Sequence, residues 1–156
     1  MRVNLERIRK KTVSIENYIV SIKEPFRKKF LTNKRDYRLD SVSAEKLRAL
    51  ADKFVVVVFS AEWCKDCAFY VSTLALLSEV ADLEVRVFGG LKRDVLNPSV
   101  RWRVPPSPIE VRSFGVEKIP LIIVFDKEGK EVGRIVEKPV NTDCLEKELL
   151  FIVKKI

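Results

Sequence analysis

The sequence predicts an α/β fold, a layered sheet flanked by helices. Three observations point there. The run FVVVVFS at residues 54–60 is apolar throughout, the pattern of a central strand buried on both faces. A helical stretch and a second strand, LEVRVF (83–88), follow it, an order that gives a parallel pair joined by a crossover. PLIIVF (120–125), the turn DKEGK and EVGRIVEK (131–138) then read as a β-hairpin.

The remaining elements follow in chain order. Residues 1–11 are expected to form a basic, frayed tail. Ser14 is a good N-cap, and Ile15, Tyr18, Ile19 and Ile22 fall on one helical face that stops at Pro25. FRKKFLTNKRDYRL is expected to be irregular or short helix. A further helix begins at Ser43 and presents Leu47 and Leu50 to the core. The stretch from Cys64 to about Ala81 reads as a helix with Phe69, Leu74, Leu77 and Val80 on or near its buried side. Gly89-Gly90 ends the second strand, and a long connection rich in turn residues, KRDVLNPSVRWRVPPSP, comes next. Ser107 as N-cap and Pro108 at the first position open a short helix that closes at Gly115. Asn141 or Thr142 caps a last helix carrying Leu145, Leu149, Ile152 and Ile156. There is no internal repeat and no low-complexity tract.

Composition narrows the chemistry. A chain of 156 residues with 47% hydrophobic residues, 5 Gly and 7 Pro is long enough for one full hydrophobic core. No apolar run approaches the roughly 18–20 residues needed to span a bilayer, and the charged start has no apolar h-region. A cytoplasmic protein without membrane contact is therefore expected. Histidine is absent, which removes the usual general base, the imidazole metal ligand and every Ser–His or Cys–His nucleophile. Glutamine is also absent, Met occurs once and 33% of residues are charged, a composition resembling that of thermophilic proteins. Intracellular disulfides are more common in such organisms.

The net charge of +8 is uneven. Residues 1–50 hold 14 Lys/Arg against 6 Asp/Glu, whereas residues 51–156 hold 16 of each. This break divides the chain into a basic helical N-terminal extension, 1–50, packed on a core of residues 51–156. A solvated basic surface is the plain reading of the extension. Docking of an acidic protein is one alternative, and nucleic acid another, since clustered cations give sequence-independent phosphate affinity.

The motif AEWCKDC (61–67) carries the chemistry. Cys64 stands at the junction of a buried strand and a helix, where the first helical N–H groups lack partners and the positive end of the helix dipole favours thiolate over thiol. The C-x-x-C spacing brings Cys67 one turn away. An exposed thiolate attacks a substrate disulfide, and the second thiol resolves the mixed disulfide; Cys64 is the nucleophile on this geometry and Cys67 the resolving thiol, with Lys65 adding positive charge. Two other readings stand beside it. Structural zinc needs four ligands, and only Cys144 is left over to join the pair. The pair are otherwise two inert core cysteines, against which the neighbouring Trp63, Lys65 and Asp66 argue. Cys144 itself reads as a small buried residue.

VVVVFSAEWCKDC, followed some fifty residues on by GVEKIPLIIVFDKEGKEVGRIV, resembles the thioredoxin family over about residues 50–156. The specific elements are Trp63-Cys64-x-x-Cys67, the Ile119-Pro120 pair starting a strand, and the hairpin with Gly129 and Gly133. The WCxDC form resembles a thioredoxin-like subgroup with a helical segment ahead of the core. The resemblance implies a thioredoxin-like three-layer fold with a central mixed sheet. It also implies a cis Ile119-Pro120 bond, with the Ile119 backbone binding an extended substrate peptide. The implied activity is thiol–disulfide exchange on disulfide-bearing protein substrates, without metal or organic cofactor, with a thiol or flavoenzyme reductase as electron donor. A thioredoxin-fold binding module with little redox activity is the alternative.

Four departures from the family pattern stand out. The buried acid six residues before the first cysteine is replaced by Val58, so Asp66 or Glu62 is the candidate proton acceptor. Ser60 stands where the family often has Trp. The helix after Cys67 lacks a kinking proline. The loop from Gly89 to Lys118 is long, and its RWRVPPSP segment around Trp102 either forms a partner-selecting rim or covers a sheet edge.

Overall fold

The computed structural model describes residues 1–156, the side chain of Val100 excepted. In chain order its elements are α1 (Leu5–Lys11), β1 (Val13–Ser14), α2 (Ile15–Ser21), α3 (Phe26–Asp36), α4 (Ser41–Leu50) and β2 (Phe54–Phe59). Then come α5 (Lys65–Ala81), β3 (Val85–Phe88), α6 (Glu110–Ser113), β4 (Leu121–Asp126), β5 (Glu131–Val136) and α7 (Leu145–Val153). The five strands form one mixed sheet in the order β1-β3-β2-β4-β5. β2 is parallel to β3 and antiparallel to β4, with Val58 opposite both Val87 and Ile122. Every residue of β2 is buried, as its uninterrupted apolar run requires of a strand covered on both faces. The α5 crossover joins the parallel pair, and α2, α3, α4 and α7 all pack against it.

The N-terminal third is built into this core. Ile15, Tyr18, Ile19, Ile22, Phe30 and Leu47 are buried in the same apolar cluster as the central strands. Ser14 caps α2 by accepting from the Asn17 N–H. The Ser72 hydroxyl on α5 donates to the Phe30 carbonyl at 2.8 Å, fastening α3 to the crossover helix. Part of the basic charge is paired with acids of the core. The Arg9 guanidinium grips Glu84 with Nε and Nη2 at 2.7 and 2.9 Å, Lys11 meets Glu110, and Lys34 meets Glu79.

Several expectations need correction. Residues 1–11 are no frayed tail. Asn4 caps α1, and Leu5 and Ile8 are buried, so tertiary packing holds a helix too short to stand alone. Ahead of it, the Val3 N–H donates to the Gly129 carbonyl. Gly129 has φ +86, and a Cβ there would fall 1.9 Å from the Val3 carbonyl oxygen, so only glycine fits this turn. The FRKKFLTNKRDYRL segment is mostly regular, with α3 covering eleven residues of it. α4 starts at Ser41 because Asp40 caps it, its carboxylate accepting from the Ser43 N–H.

On α5, Phe69 and Val80 are 41% and 50% exposed. Cys67, Ala68, Val71, Leu74 and Ala75 define the inward face instead, and Phe69 packs edge-on against Tyr37 and Tyr70. Ser107 does not cap α6, since its hydroxyl accepts from the Lys92 N–H. Asn141 and Thr142 do not cap α7 either. Both donate to the Glu148 carboxylate, and Cys144 occupies the N-cap without a side-chain bond. Ile156, assigned to that helix, lies beyond it and is exposed. β1, two residues long, is below the length at which alternation is readable.

Candidate active site

Chain direction reverses between the C-terminal end of β2 and the start of α5, and both cysteines stand there. Cys64 is the N-cap of α5, with extended backbone (φ −82°, ψ 121°), and its Sγ accepts from the Cys67 N–H at 3.2 Å. A sulfur thus takes the place that an oxygen holds in most helix caps, satisfying one of the orphan N–H groups of the first turn. Cys64 is half-buried, Cys67 is 0% exposed, and both thiols are free.

The two thiols are driven in opposite directions. Hydrogen bonding from the Cys67 thiol, then from the Cys67 and Asp66 backbone N–H groups, lowers the Cys64 pKa to about 7 against the burial that opposes it. Burial pushes the Cys67 thiol far up, and the neighbouring Cys64 sulfur adds to this. The outer sulfur is therefore substantially thiolate near neutral pH while the inner one stays protonated.

The other expected residues fall as follows. The Ile119 carbonyl oxygen lies 3.9 Å from Cys64 Sγ, and the Ile119-Pro120 bond is cis. Trp63 is exposed and stacks on Trp102, ring centroids 5.8 Å apart. Trp102 is 5% exposed and its indole N–H donates to the Glu117 carbonyl at 2.7 Å. The long loop is thereby folded back onto the cysteine turn, so its RWR segment belongs to the rim of the site.

Lys65 is exposed and lines a cleft of about 150 Å³ with Pro25, Phe26, Lys29 and Cys64. Asp66 is exposed in the first turn of α5, and its charge works against ionisation of Cys64. Glu62 is half-buried in the wall of a second cleft, about 290 Å³, shared with Tyr18, Trp63 and Lys92. Val58 is fully buried within the sheet. Cys144 lies apart, half-buried near Tyr37 and Glu146. Among the described residues no three Cys, Asp or Glu side chains converge as metal ligands would.

Sequence reasoning missed Pro25 and Phe26, which the turn between α2 and α3 brings to the nucleophile's cleft. It also missed the pairing of Tyr18 with Ser60, whose hydroxyl oxygens are 2.9 Å apart and buried. Ser60 is conspicuous in the sequence as a departure from the family pattern, whereas Tyr18 reads as one more apolar position on a helix face.

A family model described as Thioredoxin matches residues 12–97, more than half of the chain. The chain belongs to the thioredoxin family. The family match takes in Tyr18, Ser60 and both cysteines of the WCxxC turn. Thioredoxins of Chlamydia caviae and Chlamydia muridarum are each 36% identical, over 97 and 89 residues. The matched regions cover 61% and 56% of this chain and 80% and 72% of those proteins. Among solved structures, an HIV epitope-scaffold superposes over 99% of both chains with a TM-score of 0.73 at 15% identity. A protein of unknown function from Pseudomonas aeruginosa superposes over 90% of this chain and 80% of its own, with a TM-score of 0.68 at 16% identity. Those two likenesses speak for the fold alone.

Proposed function

We propose that this thioredoxin-family protein is a thiol–disulfide oxidoreductase that reduces or exchanges protein disulfides through Cys64 and Cys67. The observation that carries the reading is the placement of the two thiols at one helix start. Half-buried Cys64 caps α5 with its Sγ accepting from the Cys67 N–H at 3.2 Å, and Cys67 is wholly buried one turn in. The first is thus driven toward thiolate and the second away from it. In the first step the Cys64 thiolate attacks a substrate disulfide, forming a mixed disulfide and releasing one substrate thiolate. In the second, Cys67 loses its proton and attacks Cys64 Sγ. The Cys64–Cys67 disulfide forms, the mixed disulfide breaks, and the second substrate thiolate departs.

Each turnover moves two electrons from the pair to the substrate, and a thiol or flavoenzyme reductase restores the dithiol. The Ile119 backbone beside Cys64 is where an extended substrate segment docks, with exposed Trp63, Lys65 and the Pro25–Phe26 cleft around it. No step requires a metal or an organic cofactor, and the cytoplasm is the proposed compartment. Among the described residues no helix is long and apolar enough to cross a membrane. An insulin-reduction assay tests the reading: wild type accelerates reduction and Cys64→Ser abolishes it. An inert wild type, or a mutant equal to it, refutes the reading.

One observation favours a second reading, a binding module. Lys23, Lys28 and Lys29 are exposed and, among the described residues, make no ion pair. They offer an acidic protein a basic face, and Lys29 reaches the cysteine cleft. Nucleic acid is the alternative ligand of that face. Salt-sensitive retention on a polyanion supports this reading, and no retention at low salt removes it.

A further inference from the structure

The resolving step needs a way for the proton of Cys67 to leave, and the surroundings of that thiol are closed. Cys67 is fully buried at the first turn of α5, and Val58, buried in the sheet below, has no ionisable group to receive the proton. Two polar groups favour the Cys67 thiolate, the Ala61 backbone and then the hydroxyl of Ser60, and of these only the Ser60 hydroxyl, itself fully buried, can exchange a proton. Behind Ser60, at 2.9 Å, stands the Tyr18 hydroxyl, and either oxygen serves as the donor. Tyr18 is buried except at the wall of the cleft it shares with Glu62, Trp63 and Lys92. Ser60, Tyr18 and the cleft that Glu62 lines thus stand in order beyond the buried sulfur.

We propose that Ser60 and Tyr18 form a hydroxyl relay that carries the Cys67 proton to the Glu62 cleft during the resolving step. The inference rests on the oxidoreductase reading above. The Cys67 S–H passes its proton to Ser60 Oγ, Ser60 passes its own to Tyr18 Oη, and Tyr18 passes its own to water or the Glu62 carboxylate in the cleft. Both hydroxyls end neutral and reversed, so that Tyr18 donates to Ser60 and Ser60 donates to the new thiolate. That thiolate then attacks Cys64 Sγ, and the departing substrate thiolate takes up a proton from solvent.

The tyrosine need not ionise, consistent with the burial that raises its pKa. On this proposal Ser60 exchanges a proton with the reacting sulfur, whereas Tyr18 is a positioning residue acting through Ser60. The titratable and charged groups facing this line are Cys64 at the cap of α5, Glu62 in the turn before it, and Lys92 across the cleft, with the Asp66 charge acting on Cys64. The relay is supplied by the N-terminal segment, so a residue of α2 takes over a task for which the sheet offers no acid.

The test separates the two thiol reactions. In a Cys144→Ser background, protein in excess is mixed with dithiobis(nitrobenzoate), and thionitrobenzoate release is followed against pH. The first release reports attack by Cys64 and the second reports resolution by Cys67. Ser60→Ala is expected to slow the second phase about ten-fold at pH 7, the effect of losing one hydrogen bond to a charged group, and to leave the first nearly unchanged. Because burial keeps Cys67 protonated across the accessible pH range, the slowing should persist at every pH tested, equivalent to about one unit along the pH axis. Tyr18→Phe, which keeps the ring in the core, should slow the second phase by a smaller factor, and it tests the relay if Ser60→Ala does not fold. A second phase as fast as wild type in both variants, or a first phase slowed as much as the second, overturns the relay while leaving the oxidoreductase reading intact. No second release from wild type overturns both.

Discussion

Replacing Cys67 by alanine removes the thiol that does most to hold Cys64 ionised. The Cys64 pKa falls from its ordinary 9.0 to about 7, and the hydrogen bond from the Cys67 side chain is the largest cause. A full shift of that size corresponds to about 2.7 kcal/mol between the two protonation states. Because Cys64 is only half-buried, solvent screening trims this to about 1–2 kcal/mol. The Cys67 backbone N–H, 3.2 Å from Sγ, survives the substitution, so part of the shift survives with it. We therefore expect the Cys64 pKa in Cys67→Ala to rise by about one unit, equivalent to about 1.4 kcal/mol, and to stay below the ordinary thiol value. The rate of iodoacetamide alkylation against pH measures it directly, with Cys144→Ser as the common background. A pKa that stays near 7 or falls would show that the helix terminus alone sets the thiolate, and that the two sulfurs do not share a proton.

Three further outcomes follow from the same geometry. Asp66→Asn should lower the Cys64 pKa by a few tenths of a unit, since that exposed charge opposes ionisation; if Asp66 instead accepts the Cys67 proton, the resolving phase of the thionitrobenzoate assay slows markedly. The reduced protein should gain stability relative to Cys64→Ser as pH rises from about 7 to about 9. The folded thiol deprotonates first, so the unfolded chain binds more protons across that window, and thermal melts of the two proteins should diverge upward there. Phe30→Ala, emptying a fully buried site on α3, should cost about 3–5 kcal/mol in urea unfolding monitored as a single transition, because the basic segment is part of the core; a loss under about 1 kcal/mol would mark it as a detachable appendage.

Where the residues carried strong local patterns, the sequence was readable. The FVVVVF run, the glycine-bearing hairpin and the Ser14-capped face of Ile15, Tyr18 and Ile19 each became the element they suggested. What escaped reading depends on contacts made across the chain. α1 is held by Leu5, Ile8 and the Arg9–Glu84 pair, 75 residues apart in sequence. The caps at Ser107, Asn141 and Thr142 failed because those side chains had better partners in Lys92 and Glu148. The motif located both cysteines, since C-x-x-C at a strand-to-helix junction is a local signal. The rim around them was not local: Trp102 joins Trp63 through the fold of a long loop, and Tyr18 reaches Ser60 from 42 residues away.

Equilibration with glutathione redox buffers, read by acid-quenched thiol trapping and mass, tests the central claim most directly. The account predicts a two-electron transition in which Cys64 and Cys67 together lose two hydrogens, at a potential in the range of roughly −270 to −120 mV spanned by this class of dithiols. Cys64→Ser and Cys67→Ser should each abolish it, and Cys144→Ser should leave it in place. A wild-type protein that gains only glutathione adducts, and never closes the Cys64–Cys67 disulfide, would contradict the account.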